Sequence, residues 1–135
     1  ELLTRYEHGF DAERLRDADM SAVLAAEEVS ALRQMVDGVR VAPEVRAYAA
    51  DIARATREER MLALGASPRA TVALFRAARG AAVMDGRDFA TPDDVKGIAP
   101  AVLRHRIVLA PELEVEGRSP DDVLAALLAR VRAPE

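Results

Sequence analysis

One arginine in this sequence stands at a position where an anion would bind. It lies in the segment Gly65-Ala66-Ser67-Pro68-Arg69-Ala70. Ser67 is a good N-cap and Pro68 a good first helical residue, so a helix is predicted to begin here. The N-terminal end of a helix carries unpaired N–H groups and a partial positive charge, which disfavours a cation such as Arg69 unless an anion binds beside it. A guanidinium group and helix N–H groups together fit the oxygens of a phosphate. The segment therefore predicts an anion site, and the alternative is a surface arginine that tolerates the small cost.

Carboxylates follow the other prolines that are predicted to begin helices. These segments are Pro43-Glu44, Pro92-Asp93-Asp94 and Pro120-Asp121-Asp122. Negative side chains in a first helical turn interact favourably with the helix dipole. We interpret the paired aspartates in this way and predict no metal site from them.

Other arginines accompany Arg69 on the same predicted helix. Arg76 lies two turns further along nearly the same face, and Arg79 lies on its flank. Both fit a solvated helix face better than a site. The segment Arg104-His105-Arg106 is too short for a nucleic-acid patch. It fits either a helix end stabilised by cations or a contact with a neighbouring subunit.

Several classes of catalytic site are excluded by the residue types. The sequence has no cysteine, and its two histidines, His8 and His105, are far apart, which leaves little material for a catalytic triad or a zinc site. The phosphate-binding loop Gly-x-x-x-x-Gly-Lys-Ser/Thr is also absent. Lys96, the one lysine, is followed by Gly97 inside a predicted helix. The chain therefore contains no complete active site.

Composition predicts a single globular domain made of helices. Of 135 residues, 50% are hydrophobic and 31% charged, and scarce aromatics with abundant alanine favour closely packed helices. The net charge of −4 argues against nucleic-acid binding. No apolar run approaches the ~18 residues of a membrane span, and no signal peptide is visible. Lack of cysteine fits a reducing compartment, so we expect a cytoplasmic protein.

Apolar residues at helical spacing predict an all-α bundle of about five helices. Pro100 is expected to break or kink the fourth helix and to leave residues 101–106 as a separate turn or short helix. Residues 58–66 are predicted to form a loop with an apolar centre. The predicted core positions of the third helix are Leu74, Ala77, Ala78 and Ala81. The five helices are expected at about 21–37, 43–57, 68–84, from the Thr91 cap to Pro100, and from the Ser119 cap onward.

Five short motifs follow one another along the sequence: Gly65-Ala66-Ser67-Pro68-Arg69-Ala70, Leu74-Phe75-Arg76-Ala77-Ala78-Arg79, Gly86-Arg87-Asp88, Thr91-Pro92-Asp93-Asp94-Val95 and Leu103-Arg104-His105-Arg106. In this order they resemble the C-terminal lid of MoxR-type AAA+ ATPases, and the lid of the magnesium-chelatase ATPase subunit is a looser match. The resemblance is strongest over residues 65–109 and extends from about 21 to the end. It implies a lid domain at 21–135, with 1–20 as the tail of the ATPase core or a linker. The chain is accordingly expected to be a fragment of a longer protein.

This resemblance implies a specific role for the predicted anion site. Arg69 would be the sensor-2 arginine, which reaches the γ-phosphate of ATP, while Ser67 and Pro68 fix the helix start that aims it. The Walker motifs, sensor 1, the arginine finger and the Mg²⁺ site would lie in the missing core, so the fragment alone is not expected to bind cofactor or hydrolyse ATP. The resemblance also implies a hexameric ring that acts as a chaperone-like remodeler, with a von Willebrand factor A domain protein as a partner.

Two other functions remain open from the residues alone. A free-standing helical interaction or adaptor domain would use the apolar segment Met61 to Leu64 as a docking surface. A helix-turn-helix DNA-binding protein would use the third helix for recognition, although its alanine-rich surface and the acidic balance argue against this. An upstream P-loop in the same reading frame would separate the ATPase from both.

Overall fold

Helices dominate the computed structural model, which describes residues 1–10 and 21–134. The fold prediction of an all-α bundle is confirmed, with four very short strands added to it. The helices are α1 (Leu2–Glu7), α2 (Ala26–Gly38), α3 (Pro43–Glu58), α4 (Pro68–Met84), α5 (Pro92–Leu103), α6 (Pro111–Val115) and α7 (Pro120–Arg130). The strands are β1 (Arg40–Val41), β2 (Leu62–Leu64), β3 (Phe89–Ala90) and β4 (Val108–Leu109).

The chain divides into two units, Glu1–Leu32 and Arg33–Glu135. In the first unit, every side chain that the structure describes is exposed or half-buried. The second unit contains the hydrophobic core. The domain boundary predicted at residue 20 falls in 11–20, outside the described residues, and stays a prediction.

Helix α4 lies at the centre of the core because its buried face is made of small residues. Ala70, Leu74, Ala78 and Ala82 are all at most 2% exposed and follow each other at intervals of four residues, which places them on one face. Small side chains let neighbouring helices approach closely. The prediction of Leu74 and Ala78 as core residues is confirmed. Ala77 and Ala81 are only half-buried, because the buried stripe runs one position to the side. Helices α3 and α5 pack against α4, and α7 packs against α3 and α5. The buried side chains that these three helices contribute to the same core are chiefly Tyr48, Ile52, Val95, Ala99, Leu103, Leu124 and Leu127.

Two strand pairs connect segments that are distant in sequence. Strand β1 pairs in parallel with β3, and β2 pairs antiparallel with β4, with Leu62 opposite Leu109. The predicted loop at 58–66 therefore contains a strand. Its apolar centre is explained in part by this pairing, since Leu62 packs against the core while Leu64 remains 61% exposed.

Pro100 does not break the fourth helix, and residues 101–103 continue that helix, so the prediction of a break followed by a separate turn or short helix at 101–106 is wrong. Helix α5 continues through Pro100 to Leu103. A proline inside a helix removes one hydrogen bond, here the bond to the carbonyl of Lys96, and Lys96 is an exposed residue. The backbone continues in helical geometry beyond the proline, where the N–H of Arg104 donates to the Pro100 carbonyl at 3.0 Å.

Helix α2 begins later than predicted, at Ala26 rather than near Ser21. The Glu28 carboxylate accepts a hydrogen bond from the N–H of Ala25 at 2.7 Å, which satisfies a backbone donor at this helix start.

Within the ranges 1–10 and 21–134, no helix is both long enough and apolar enough to cross a membrane.

Candidate anion-binding site

The first turn of α4 carries Arg69 and no acidic residue, as the sequence predicts. Ser67 is the N-cap, and its hydroxyl accepts a hydrogen bond from the N–H of Ala70 at 3.4 Å. Helices α5 and α7 differ at the third helical position, where α4 has Ala70. Asp94 and Asp122 stand there and complete capping boxes with the N-cap residues of those helices. The interpretation of these aspartates as partners of helix N-termini is thereby confirmed. At α4 no carboxylate of the first turn competes with an incoming anion for the positive end of the helix dipole.

The side chain of Arg69 is available for a ligand. The residue is exposed, and across 1–10 and 21–134 it makes no hydrogen bond or ion pair. Ser67 and Pro68 are exposed as well. The unpaired guanidinium offers several donors to one anion, whereas Pro68 has no N–H and the N–H groups of Ala70 and Thr71 are bonded to Ser67.

The loop before α4 is fixed by two consecutive residues at the end of α3. The buried Thr56 hydroxyl accepts a hydrogen bond from the N–H of Ala66 at 2.8 Å, and Arg57 Nη1 donates to the Ala66 carbonyl at 3.0 Å. Gly65 allows this approach, since a Cβ on it would lie 2.5 Å from the Thr56 carbonyl oxygen. None of these three contacts is predicted from the sequence. Gly65 can be recognised in the sequence, but no nearby residue indicates that Thr56 lies beside it.

An open cavity of about 620 Å³ lies directly before α4. Its walls are the β2 strand, the loop from Gly65 to Ser67, and two arginines, Arg57 and Arg106. Of the predicted site residues, Ser67 lines this cavity, while Pro68 and Arg69 continue from its edge along the chain. The cavity therefore combines an apolar wall with cationic side chains.

A second charged cluster stabilises the fold rather than offering a site. Arg87 donates to both carboxylate oxygens of Asp94, at 2.6 and 2.7 Å, and also to Asp85 at 2.9 Å. The hydrogen bonds from Arg87, and secondarily those from Thr91, lower the pKa of Asp94 to about 2 although its burial opposes this. All partners of this cluster come from the same short stretch of chain, so it fixes the turn before α5.

The interpretation of Arg79 as part of a solvated face is wrong. Its side chain is only 14% exposed, it lies over the Phe75 ring at 5.5 Å, and its Nη2 donates to the backbone carbonyl of Asp37 at the end of α2. A cation is favourable there because the C-terminal end of a helix is partially negative. Arg76 is exposed, as predicted.

The basic segment after α5 includes a helix-end cation. Arg104 Nε donates to the Pro100 carbonyl at 3.2 Å and lies 3.3 Å from an Asp121 carboxylate oxygen. This fits the first of the two interpretations left open for that segment.

These groups can bind an anion but supply no chemistry of their own. In the part of the chain that the structure describes, no three His, Cys, Asp or Glu side chains are grouped so as to hold a metal ion. The groups at the start of α4 are all hydrogen-bond donors or cations, apart from the Ser67 hydroxyl. An arginine in such a place acts by stabilising charge on a ligand that other groups hold and react.

The AAA lid domain family matches residues 54–127, more than half of the sequence. The chain belongs to the AAA lid domain family. The matched range includes the end of α3, the Thr56 and Arg57 contacts, and the whole of α4 with Arg69. The residues that build the candidate anion site thus lie inside the family's own region.

Relatives of this lid include MoxR proteins, so the predicted resemblance is confirmed. The lid is 33% identical over 115 residues to the uncharacterized protein YeaC of Bacillus subtilis, covering 85% of this chain and 36% of that protein. It is 42% identical over 74 residues to the chaperone MoxR1 of Mycobacterium tuberculosis, covering 55% and 20%. A solved structure from Cytophaga hutchinsonii, of a protein to which ATPase activity is ascribed, matches with a TM-score of 0.78 and 26% identity over 91% of this chain and 41% of that one.

The lid spans only 20% to 41% of the length of these proteins. In each of them, more than half of the residues lie outside the matched region. The comparisons therefore describe one domain of longer proteins.

Proposed function

We propose that this chain is the lid of a MoxR-type AAA+ ATPase and that Arg69 is its sensor-2 arginine. In this role Arg69 stabilises charge on the terminal phosphate of ATP during hydrolysis. The observation that carries the proposal is the exposed, unpaired Arg69 in the acid-free first turn of α4. Ser67 and Pro68 begin the helix that directs Arg69 toward the nucleotide.

The rest of the ATP site belongs to the ATPase core. The sequence of the lid holds no phosphate-binding loop, so the core binds most of the nucleotide and its Mg²⁺. The lid completes the site when it closes on the core. ATP binding and hydrolysis then move the lid relative to the core.

This movement serves remodelling of other proteins. The relatives named MoxR, one of them described as a chaperone, support a chaperone-like role. We propose a hexameric ring of the full-length protein in the cytoplasm. A protein with a von Willebrand factor A domain is its proposed partner.

Replacement of Arg69 in the full-length protein tests the role of this residue. Arg69→Ala is expected to retain ATP binding but to lower kcat by about 100-fold, the usual scale for loss of one charge-stabilising donor. Steady-state hydrolysis and equilibrium binding of ATP are the measurements. Arg76→Ala is the matched control, because Arg76 is an exposed arginine on the same helix. Wild-type hydrolysis by Arg69→Ala would remove the sensor-2 assignment.

A further inference from the structure

We propose that Thr56 and Arg57 are positioning residues that set where Arg69 stands. They bind both backbone polar groups of Ala66, and we call this arrangement the Ala66 clamp. The inference rests on the proposed role of Arg69 as the arginine that contacts ATP. It adds two residues of α3 that touch no nucleotide in this role.

The Thr56 hydroxyl both donates and accepts a hydrogen bond. It donates to the Ala53 carbonyl at 2.7 Å and accepts from the N–H of Ala66 at 2.8 Å. Thr56 is 1% exposed and Ala66 is fully buried. A threonine in a helix often bonds back to a carbonyl of the preceding turn, and here that bond orients the oxygen lone pairs toward the loop.

Arg57 completes the clamp from the next position of α3. Its Nη1 donates to the Ala66 carbonyl at 3.0 Å, so the N–H and the carbonyl of Ala66, which belong to two successive peptide units, are both hydrogen-bonded. Gly65 lies directly on the backbone of the two residues, where a Cβ would be 2.6 Å from the Arg57 Cα. The loop is thus held against α3 through the backbone atoms of Gly65 and Ala66, which restricts its movement along the helix.

The clamp acts on Arg69 through the helix start. Ala66 directly precedes the N-cap Ser67, and Arg69 follows in the first helical turn. Loss of the Thr56 hydroxyl leaves a buried N–H without a partner, and the loop must shift to satisfy it. Because charge stabilisation depends steeply on placement, a small shift of the α4 start lowers hydrolysis more than it lowers binding.

Substitutions at Thr56 in the full-length ATPase test this inference. Thr56→Val keeps the shape and removes the hydroxyl, and we expect kcat to fall about tenfold with little change in ATP affinity. Thr56→Ser keeps the hydroxyl and is expected to retain a kcat close to that of the wild type. In an Arg69→Ala background, Thr56→Val should cause no further loss, since the group that it positions is already absent.

Arg57→Met provides a second test on an exposed residue whose replacement spares the core. It too should lower kcat in the wild-type background and leave kcat unchanged in the Arg69→Ala background. Val123→Ala, in the buried face of α7, controls for lost stability. It should lower the melting temperature without lowering kcat at a temperature where the protein stays folded.

The outcomes separate this inference from the proposed function. If Arg69→Ala hydrolyses ATP at the wild-type rate, the sensor-2 role itself fails. If Arg69→Ala is impaired, the clamp is overturned by wild-type kcat in Thr56→Val, or by losses of equal size in both backgrounds. Should Thr56→Val fail to fold, the same two results with Arg57→Met overturn it. If Arg57→Met lowers kcat further in the Arg69→Ala background, Arg57 contacts the nucleotide directly, and its assignment as a positioning residue is overturned.

Discussion

Two arginines of this lid have opposite roles because their surroundings differ. Arg69 is exposed and unpaired in the part of the chain that the structure describes, so its charge is available to an incoming ligand. Arg87 is only 26% exposed in its side chain and is bound by the carboxylates of Asp94 and Asp85. A guanidinium whose donors are already taken by carboxylates stabilises the fold instead of binding a ligand.

The Arg87–Asp94 pair predicts loss of stability in acid. Asp94 has a pKa of about 2 in the folded lid, against 3.8 for the free side chain, so folding favours its charged form. Its contribution of about 2 kcal/mol is present above pH 4 and is lost as the pH falls from about 4 to 2. Chemical unfolding of the wild-type chain across this range measures the loss. Asp94→Asn should be less stable at pH 7 and should show a shallower acid dependence; an unchanged dependence would contradict the assignment to Asp94.

At the scale of elements, sequence reasoning succeeded where the cause is local. Helix α4 begins at Pro68 and ends at Met84 as predicted, because Ser67 and Pro68 determine its start within one turn. The caps Thr91 and Ser119 are confirmed for the same reason. Arg69 could be singled out since its conflict with the helix dipole is visible from its neighbours in sequence alone.

Contacts between distant segments could not be predicted in this way. Strand β2 exists because Leu62 meets Leu109, 47 positions further along by residue number. Thr56 looks like an ordinary helical threonine until the fold brings Ala66 to its hydroxyl. Arg79 has the spacing of an exposed residue but reaches the end of α2. Local patterns contain no information about which segments meet.

The contact of Arg79 with α2 predicts a local effect on the end of that helix. Arg79 binds Asp37 by its backbone carbonyl and lies 3.6 Å from the carboxylate. Arg79→Gln should speed amide hydrogen exchange at Val39 and Arg40, which follow α2, while the core amides of α3 remain protected. Arg76→Gln is the control on the exposed face of α4 and should change neither set. Equal acceleration throughout α3 and α4 would instead indicate global destabilisation.

For the whole molecule, the proposed function assigns to the lid the donors of one part of an ATP site. The start of α4, the cavity beside it and the Ala66 clamp share the loop from Gly65 to Ser67. The residues that would hold the remainder of the nucleotide are absent from the sequence. This division explains why composition and spacing pointed to an anion while only the family resemblance suggested which anion it is.

The distribution of buried residues predicts that the second unit carries the stability of the chain. The described side chains of Glu1–Leu32 are exposed or half-buried, whereas the hydrophobic core lies within Arg33–Glu135. Buried apolar area is the main source of folding free energy. A chain that begins at Ala26, and so keeps all of α2, should melt within about 2 °C of the 135-residue chain. Calorimetry of both chains measures this. Leu74→Ala, which removes a fully buried side chain, is the control. In either chain it should lower the free energy of unfolding by about 2–5 kcal/mol and lower the melting temperature strongly. A drop of about 8 °C or more on removing residues 1–25 would show that they contribute to the core.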